Sequence, residues 1–134
     1  MQSGFIFVYG TLMSEFNNPM AQLLRKTSVF IGKGYFNGLI FDLGNFPGAI
    51  YVAKEKSKVH GEIYQTDTIS NVLKTLDKYE GIGDPYFDLY ERKLLPITTN
   101  TKVINAETYT LKRTYTSSIK IENGDYLQYL KTKS

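Results

Sequence analysis

Cysteine is absent from this chain, and histidine occurs once, as His60. Without a thiol there is no disulfide, no thiolate nucleophile and no thiolate metal site. One histidine cannot build a His-rich metal centre and argues against a Ser-His-Asp triad, so neither metal nor cofactor is expected. No apolar run is long enough to span a bilayer, and no basic-then-apolar leader precedes the first strand-like residues. The expectation is a cytoplasmic protein without a membrane partner. A basic cluster is also missing: 16 Lys and Arg against 13 Asp and Glu leave a net charge of +3, scattered along the chain. Lys54, Lys56 and Lys58 alternate with other residues in a connection, as solvated loops do. Eleven tyrosines and eight phenylalanines are enough to stack bases, but strand aromatics usually pack cores, and nucleic acid is not an expected partner.

What remains is an ordinary globular composition, 42% hydrophobic and 22% charged over 134 residues, which fits one domain spanning 1–134. Repeats, linkers and low-complexity tracts are not found. Residues 5–9 form a wholly apolar run of strand formers, expected as a central strand buried on both faces. Asn18 followed by Pro19 marks the start of a short helix to about Arg25. Segment 29–43 is strand-like but interrupted by Gly32, Gly34 and Gly38, which suits a bent or barrel-like sheet. Segments 49–54 and 59–65 are expected to pair as a hairpin, and Thr66, Asp67 and Thr68 to start a helix. Strands are predicted at 86–95 and 103–111, and a final short helix to Leu130 with Asp125 as its cap. The fold class is therefore α+β, a small mixed, bent, barrel-like sheet with a few short helices.

Glu80 is the most informative residue. Segment 69–81 is an amphipathic helix with Ile69, Val72, Leu73 and Leu76 at i, i+3, i+4 and i+7. At about 100° per residue, Glu80 falls within roughly 30° of the centre of that apolar face, whereas Lys74, Asp77 and Lys78 point away. A carboxylate aimed at apolar surroundings is costly to ionise, so its pKa rises and it can serve as a base near neutrality. The alternative is a terminal Glu that bends out to solvent just before Gly81, a residue suited to the left-handed end of a helix. The second element is Tyr9-Gly10-Thr11-Leu12, where a buried strand ends and leaves successive N–H groups without strand partners. Such donors can bind an anion, with Gly10 permitting close approach, although the same sequence also makes an ordinary turn.

Five blocks in order carry a resemblance: Tyr9-Gly10-Thr11-Leu12, Phe46-Pro47-Gly48-Ala49, Val59-His60-Gly61-Glu62-Ile63-Tyr64, Leu76-Asp77-Lys78-Tyr79-Glu80-Gly81 and Tyr90-Glu91-Arg92. Together, from Phe5 to Asp125, they resemble the gamma-glutamylcyclotransferase-like superfamily, which includes gamma-glutamylamine cyclotransferases and avirulence-induced-gene-like proteins of plants. The resemblance implies a small mixed barrel, a γ-glutamyl small-molecule substrate, and conversion of it to 5-oxoproline and a free amine. It places Glu80 as the general acid/base and Tyr9, Gly10, Thr11 and Leu12 on the loop that holds the glutamyl end. Tyr90 and Arg92 match a recurrent Tyr-x-Arg, read as substrate contact or support. Met13 stands where many relatives carry a basic residue, and Gly83-Asp84-Pro85 alters the loop beside the cavity; both bear on substrate choice.

Other residues carry weaker expectations. Asp77 is read as solvated or capping, His60 as structural or exposed, and Tyr86, Tyr90 and Tyr109 as possible pocket walls. A non-catalytic binder of a small carboxylated metabolite in the same pocket is the alternative function. The leaving amine and the oligomeric state are not legible in the sequence.

Overall fold

A computed structural model describes residues 3–85, 89–113 and 119–133 of the chain. Its order is β1 (Gly4–Val8), α1 (Pro19–Thr27), β2 (Val29–Asp42), β3 (Pro47–Tyr51), β4 (Lys58–Thr66) and α2 (Ile69–Tyr79). It continues with β5 (Tyr90–Thr98), β6 (Val103–Leu111), β7 (Ile119–Lys120) and α3 (Tyr126–Lys133). Five of these strands, in the order β2-β4-β1-β6-β5, close into a barrel through a β2–β5 pairing at Tyr35 and Thr98. The β1–β6 pair is parallel and its neighbours antiparallel, so the sheet is mixed. As expected, β1 is the central strand, with Ile6, Phe7 and Val8 buried.

The expected 49–54/59–65 hairpin does not form. Both segments pair instead with β2, a 14-residue strand that bends and offers each a partner. Its residues 38–42 face β3 and its residues 29–37 face β4. Gly38 stands at the junction, where a Cβ would collide with the Ile50 carbonyl. The lysine-containing loop therefore links two strands that leave β2 in succession.

The helices start as their caps dictate, with one exception. Asn18 accepts the Ala21 N–H at 2.9 Å to begin α1, and Asp125 accepts the Gln128 N–H at 3.1 Å to begin α3. Thr68 precedes α2 without a side-chain cap. Its own N–H instead donates to the Thr66 hydroxyl, which donates in turn to the Thr27 carbonyl.

Element lengths then position the site. α2 begins beside Gly4, where an added Cβ would lie 2.7 Å from Ile69. Its 11 residues rise about 16 Å, close to the length of about 17 Å of the five-residue β1. The helix thus delivers its C-terminus to the end of β1. Segment 86–88, where strand β5 was expected to begin and where Tyr86 lies, is outside the described residues.

Thr110, in β6, is 1% exposed, and its hydroxyl has no partner among the described residues. A buried hydroxyl without a partner costs about 1–3 kcal/mol. Thr110→Val should therefore raise stability by about 1 kcal/mol in urea denaturation; a loss of similar size would mean that the hydroxyl is bonded.

Candidate active site

A cavity of about 410 Å³ opens at the end of the barrel, where the chain leaves β1. Segment 8–12, the turn entering β3 and the last turn of α2 form its walls, and Tyr90 and Tyr109 join them from β5 and β6. Phe7, Leu12, Phe46 and Leu89 make much of the lining apolar.

Glu80 is the C-cap of α2, and its N–H donates to the Leu76 carbonyl at 2.8 Å. Gly81 follows at φ +79°, a left-handed conformation that glycine adopts without Cβ strain. The Glu80 side chain lines the cavity, partly buried, and no described residue donates a hydrogen bond to its carboxylate. Burial without compensating donors penalises the charged form and pushes the Glu80 pKa up to about 7.

Across the cavity, the N–H groups of Gly10, Thr11 and Leu12 have no acceptor among the described residues. Their loop is tied down from behind. The Gly10 carbonyl accepts the Met13 N–H at 3.1 Å, and the Thr11 carbonyl accepts the Asn18 side-chain amide at 2.7 Å. Ser14 donates both its N–H (2.7 Å) and its hydroxyl (2.8 Å) to Glu62, which also accepts the Tyr64 hydroxyl at 3.1 Å. Glu62 is a buried acid whose bonds fix the loop. A segment with the Gly10 and Thr11 carbonyls engaged and three successive N–H groups without an acceptor among the described residues is an anion site in kind.

A Cβ at Gly10 would lie 2.6 Å from Pro47, so the missing side chain makes room for that proline. Tyrosine hydroxyls complete the wall. Tyr9 accepts the Ala49 N–H at 3.1 Å and donates to the Tyr109 carbonyl at 2.7 Å, and Tyr90 donates to the Pro47 carbonyl at 2.7 Å. Both therefore bracket the entrance to β3. Burial first, and then the charge of Glu80, raise the Tyr9 pKa, so the phenol is neutral.

The chain matches the family model described as gamma-glutamyl cyclotransferase, AIG2-like, over residues 6–128. It belongs to that family. Among solved structures, an AIG2-like protein from Mus musculus superposes with a TM-score of 0.75 at 24% identity, covering 94% of this chain and 89% of that one. The ytfP protein of Escherichia coli gives 0.67 at 28% identity, with 93% and 97% covered. YkqA of Bacillus subtilis gives 0.72 at 22% identity; 99% of this chain is covered, but it spans only 44% of YkqA. No curated protein matches the sequence.

In this member of the gamma-glutamyl cyclotransferase, AIG2-like family, the fold brings together Glu80, Tyr9, Gly10, Thr11, Leu12 and Tyr90 around one cavity. Arg92 is not among its walls. Its guanidinium grips Asp77 through Nε at 2.9 Å and Nη2 at 3.2 Å, and Glu107 through Nη1 at 3.1 Å. A guanidinium engaged by two carboxylates is a support rather than a free carboxylate clamp. Asp77, expected to be solvated or capping, is instead the acceptor of that pair and of the Tyr109 hydroxyl at 2.5 Å. It sits at the edge of the apolar stripe, so the wheel alone sent it to solvent; its partners come from β5 and β6, where Arg92 and Tyr109 are directly opposite. Glu62 was also missed, although an acid two residues from Tyr64 and flanked by Gly61 and Ile63 within a strand segment was its signal. His60 is half-buried, with its N–H on the Gly124 carbonyl and its ring 5.9 Å from Tyr35, away from this cavity.

A raised carboxyl pKa has a consequence for stability. The folded chain holds the Glu80 proton up to about pH 7, whereas an ordinary glutamate in water loses it near 4.5. Stability is therefore full below the lower value and is lost as pH rises through the upper one, by at most about 3 kcal/mol. Glu80→Gln should match wild type near about pH 4 and exceed it near about pH 8 in chemical denaturation. Equal stability at both would place the carboxylate in water.

Proposed function

We propose that this chain is a cyclotransferase acting on a γ-glutamyl amine or amide, with Glu80 as general acid/base. The observation that carries the reading is a partly buried carboxylate, without a hydrogen-bond donor among the described residues, that lines the same cavity as three main-chain N–H groups without an acceptor among those residues. The reaction is intramolecular. The substrate's α-nitrogen bonds to its own γ-carbonyl carbon, the bond from that carbon to the leaving nitrogen breaks, and 5-oxoproline and a free amine result. Starting from an ammonium, the α-nitrogen must lose two protons. Glu80 takes one as the nitrogen becomes a nucleophile and the other after it has bonded to carbon, and passes each to the departing nitrogen, which leaves as an ammonium. No enzyme nucleophile is required, in keeping with a chain that lacks cysteine.

The remaining work is positioning. A flexible glutamyl chain must be folded until its ends meet, and holding it so replaces a large entropic cost. The N–H groups of Gly10, Thr11 and Leu12 suit the substrate's carboxylate or the oxyanion that develops at the γ-carbonyl. The apolar lining lowers the local dielectric and strengthens either interaction.

Incubation with a panel of γ-glutamyl amines should release 5-oxoproline, read by mass spectrometry. Glu80→Gln should lower turnover by about 10²- to 10⁴-fold. Since the base must be unprotonated, kcat/KM should rise as pH passes through about 7 and then level. Binding across the panel without turnover would make the protein a carrier or sensor of such compounds instead.

A further inference from the structure

We propose that the Tyr109 hydroxyl is an acceptor for a protonated amine held against Glu80, so that the cavity grips its ligand's ammonium with two oxygens. The proposal rests on the cyclotransferase reading and adds a binding residue to it.

A phenol has one proton to give. Tyr109 gives it to Asp77, at 2.5 Å. That direction is fixed, because Asp77 is pinned at the same time by two nitrogens of Arg92. Tyr109 is therefore left with lone pairs only. Burial, and then the bond to Asp77 and its charge, raise the phenol's pKa further, so the group is a neutral acceptor and not a phenolate. It lines the cavity with Glu80, whose charge acts on it.

The other polar groups of the cavity give it a direction. The hydroxyl protons of Tyr9 and Tyr90 are spent on main-chain carbonyls. Donors without an acceptor among the described residues lie on the Gly10–Leu12 side. Acceptors lie on the side of α2 and β6, with Glu80 and Tyr109. Lys78, also at the cavity, is exposed. A ligand with a carboxylate at one end and an ammonium beside it, the head of an α-amino acid, matches that polarity. Tyr109 then orients the amine before Glu80 removes its proton, which makes it a substrate-binding group rather than part of the wall alone.

The test compares two probes, the N-methyl γ-amide of glutamate and the same molecule without its α-amino group. Binding is measured by calorimetry in Glu80→Gln, which retains an acceptor oxygen and leaves the probe intact. Adding Tyr109→Phe should weaken the amino probe on the order of 10-fold while the deamino probe changes by less than about two-fold. Equal weakening of both probes would show that Tyr109 acts only through the placement of α2, and no change in either would show that it makes no contact; both overturn the proposal. A crystal structure of Glu80→Gln with the amino probe is independent of how the Phe variant folds. It should place the amine nitrogen within hydrogen-bond distance of the Tyr109 oxygen, and a longer separation overturns the proposal. If wild type cyclises the probe but the amino preference survives Tyr109→Phe, only the role of Tyr109 falls. If wild type neither binds nor cyclises it, the cyclotransferase reading falls too.

Discussion

Asp77 receives the partners that Glu80 is denied. The two acids are three residues apart at the end of one helix, yet Asp77 takes a two-nitrogen grip from Arg92 and a short bond from Tyr109. Glu80 has no donor among the described residues and is left to the desolvating lining of the cavity. The arrangement depends on that division. Asp77 fastens α2 to the barrel through strong, charge-assisted bonds, and the fastened helix then holds Glu80 where water is scarce. A clamp at Glu80 itself would stabilise its charged form and take away its capacity to accept a proton near neutrality. The helix C-terminus disfavours a negative charge and acts in the same upward direction.

The barrel supplies the second half of the geometry. The direct β1–β6 pairing fixes the relation between β1, which leads into the donor loop, and β6, which carries Tyr109, and closure through Tyr35 and Thr98 completes the barrel around them. Tyr9 and Tyr90 are best understood as brackets within that frame. Each uses its hydroxyl on the backbone around Pro47, and Pro47 packs into the space that Gly10 leaves open. The buried Glu62 holds the donor loop from the opposite side through Ser14. The cavity is thus assembled from main-chain segments locked by side chains, as a site that must be preorganised requires.

The sequence reading succeeded where local chemistry decides the outcome. Helix periodicity placed Glu80 on the apolar face, Asn18-Pro19 and Asp125 placed two helix starts, and the apolar run at 5–9 placed the central strand. It failed where partners are distant in the chain. Nothing local distinguishes a strand that pairs with its neighbour from one that pairs with β2, so the 49–54/59–65 hairpin was expected and is not present. Asp77 and Arg92 were each judged alone, one as solvated or capping and the other as a substrate contact or support; only the packing of α2 against the β5–β6 pair, whose register sets Arg92 opposite Tyr109, brings them together. The same limit hid the role of Glu62, whose partner Ser14 lies 48 residues away.

The most direct measurement is a carbon NMR titration of the Glu80 carboxyl in the folded protein, assigned by its loss in Glu80→Gln. A midpoint near 7 is expected, well above the 4.5 of an ordinary glutamate. A midpoint at the lower value would mean that the carboxylate is hydrated, and the case for Glu80 as a base near neutral pH would be contradicted.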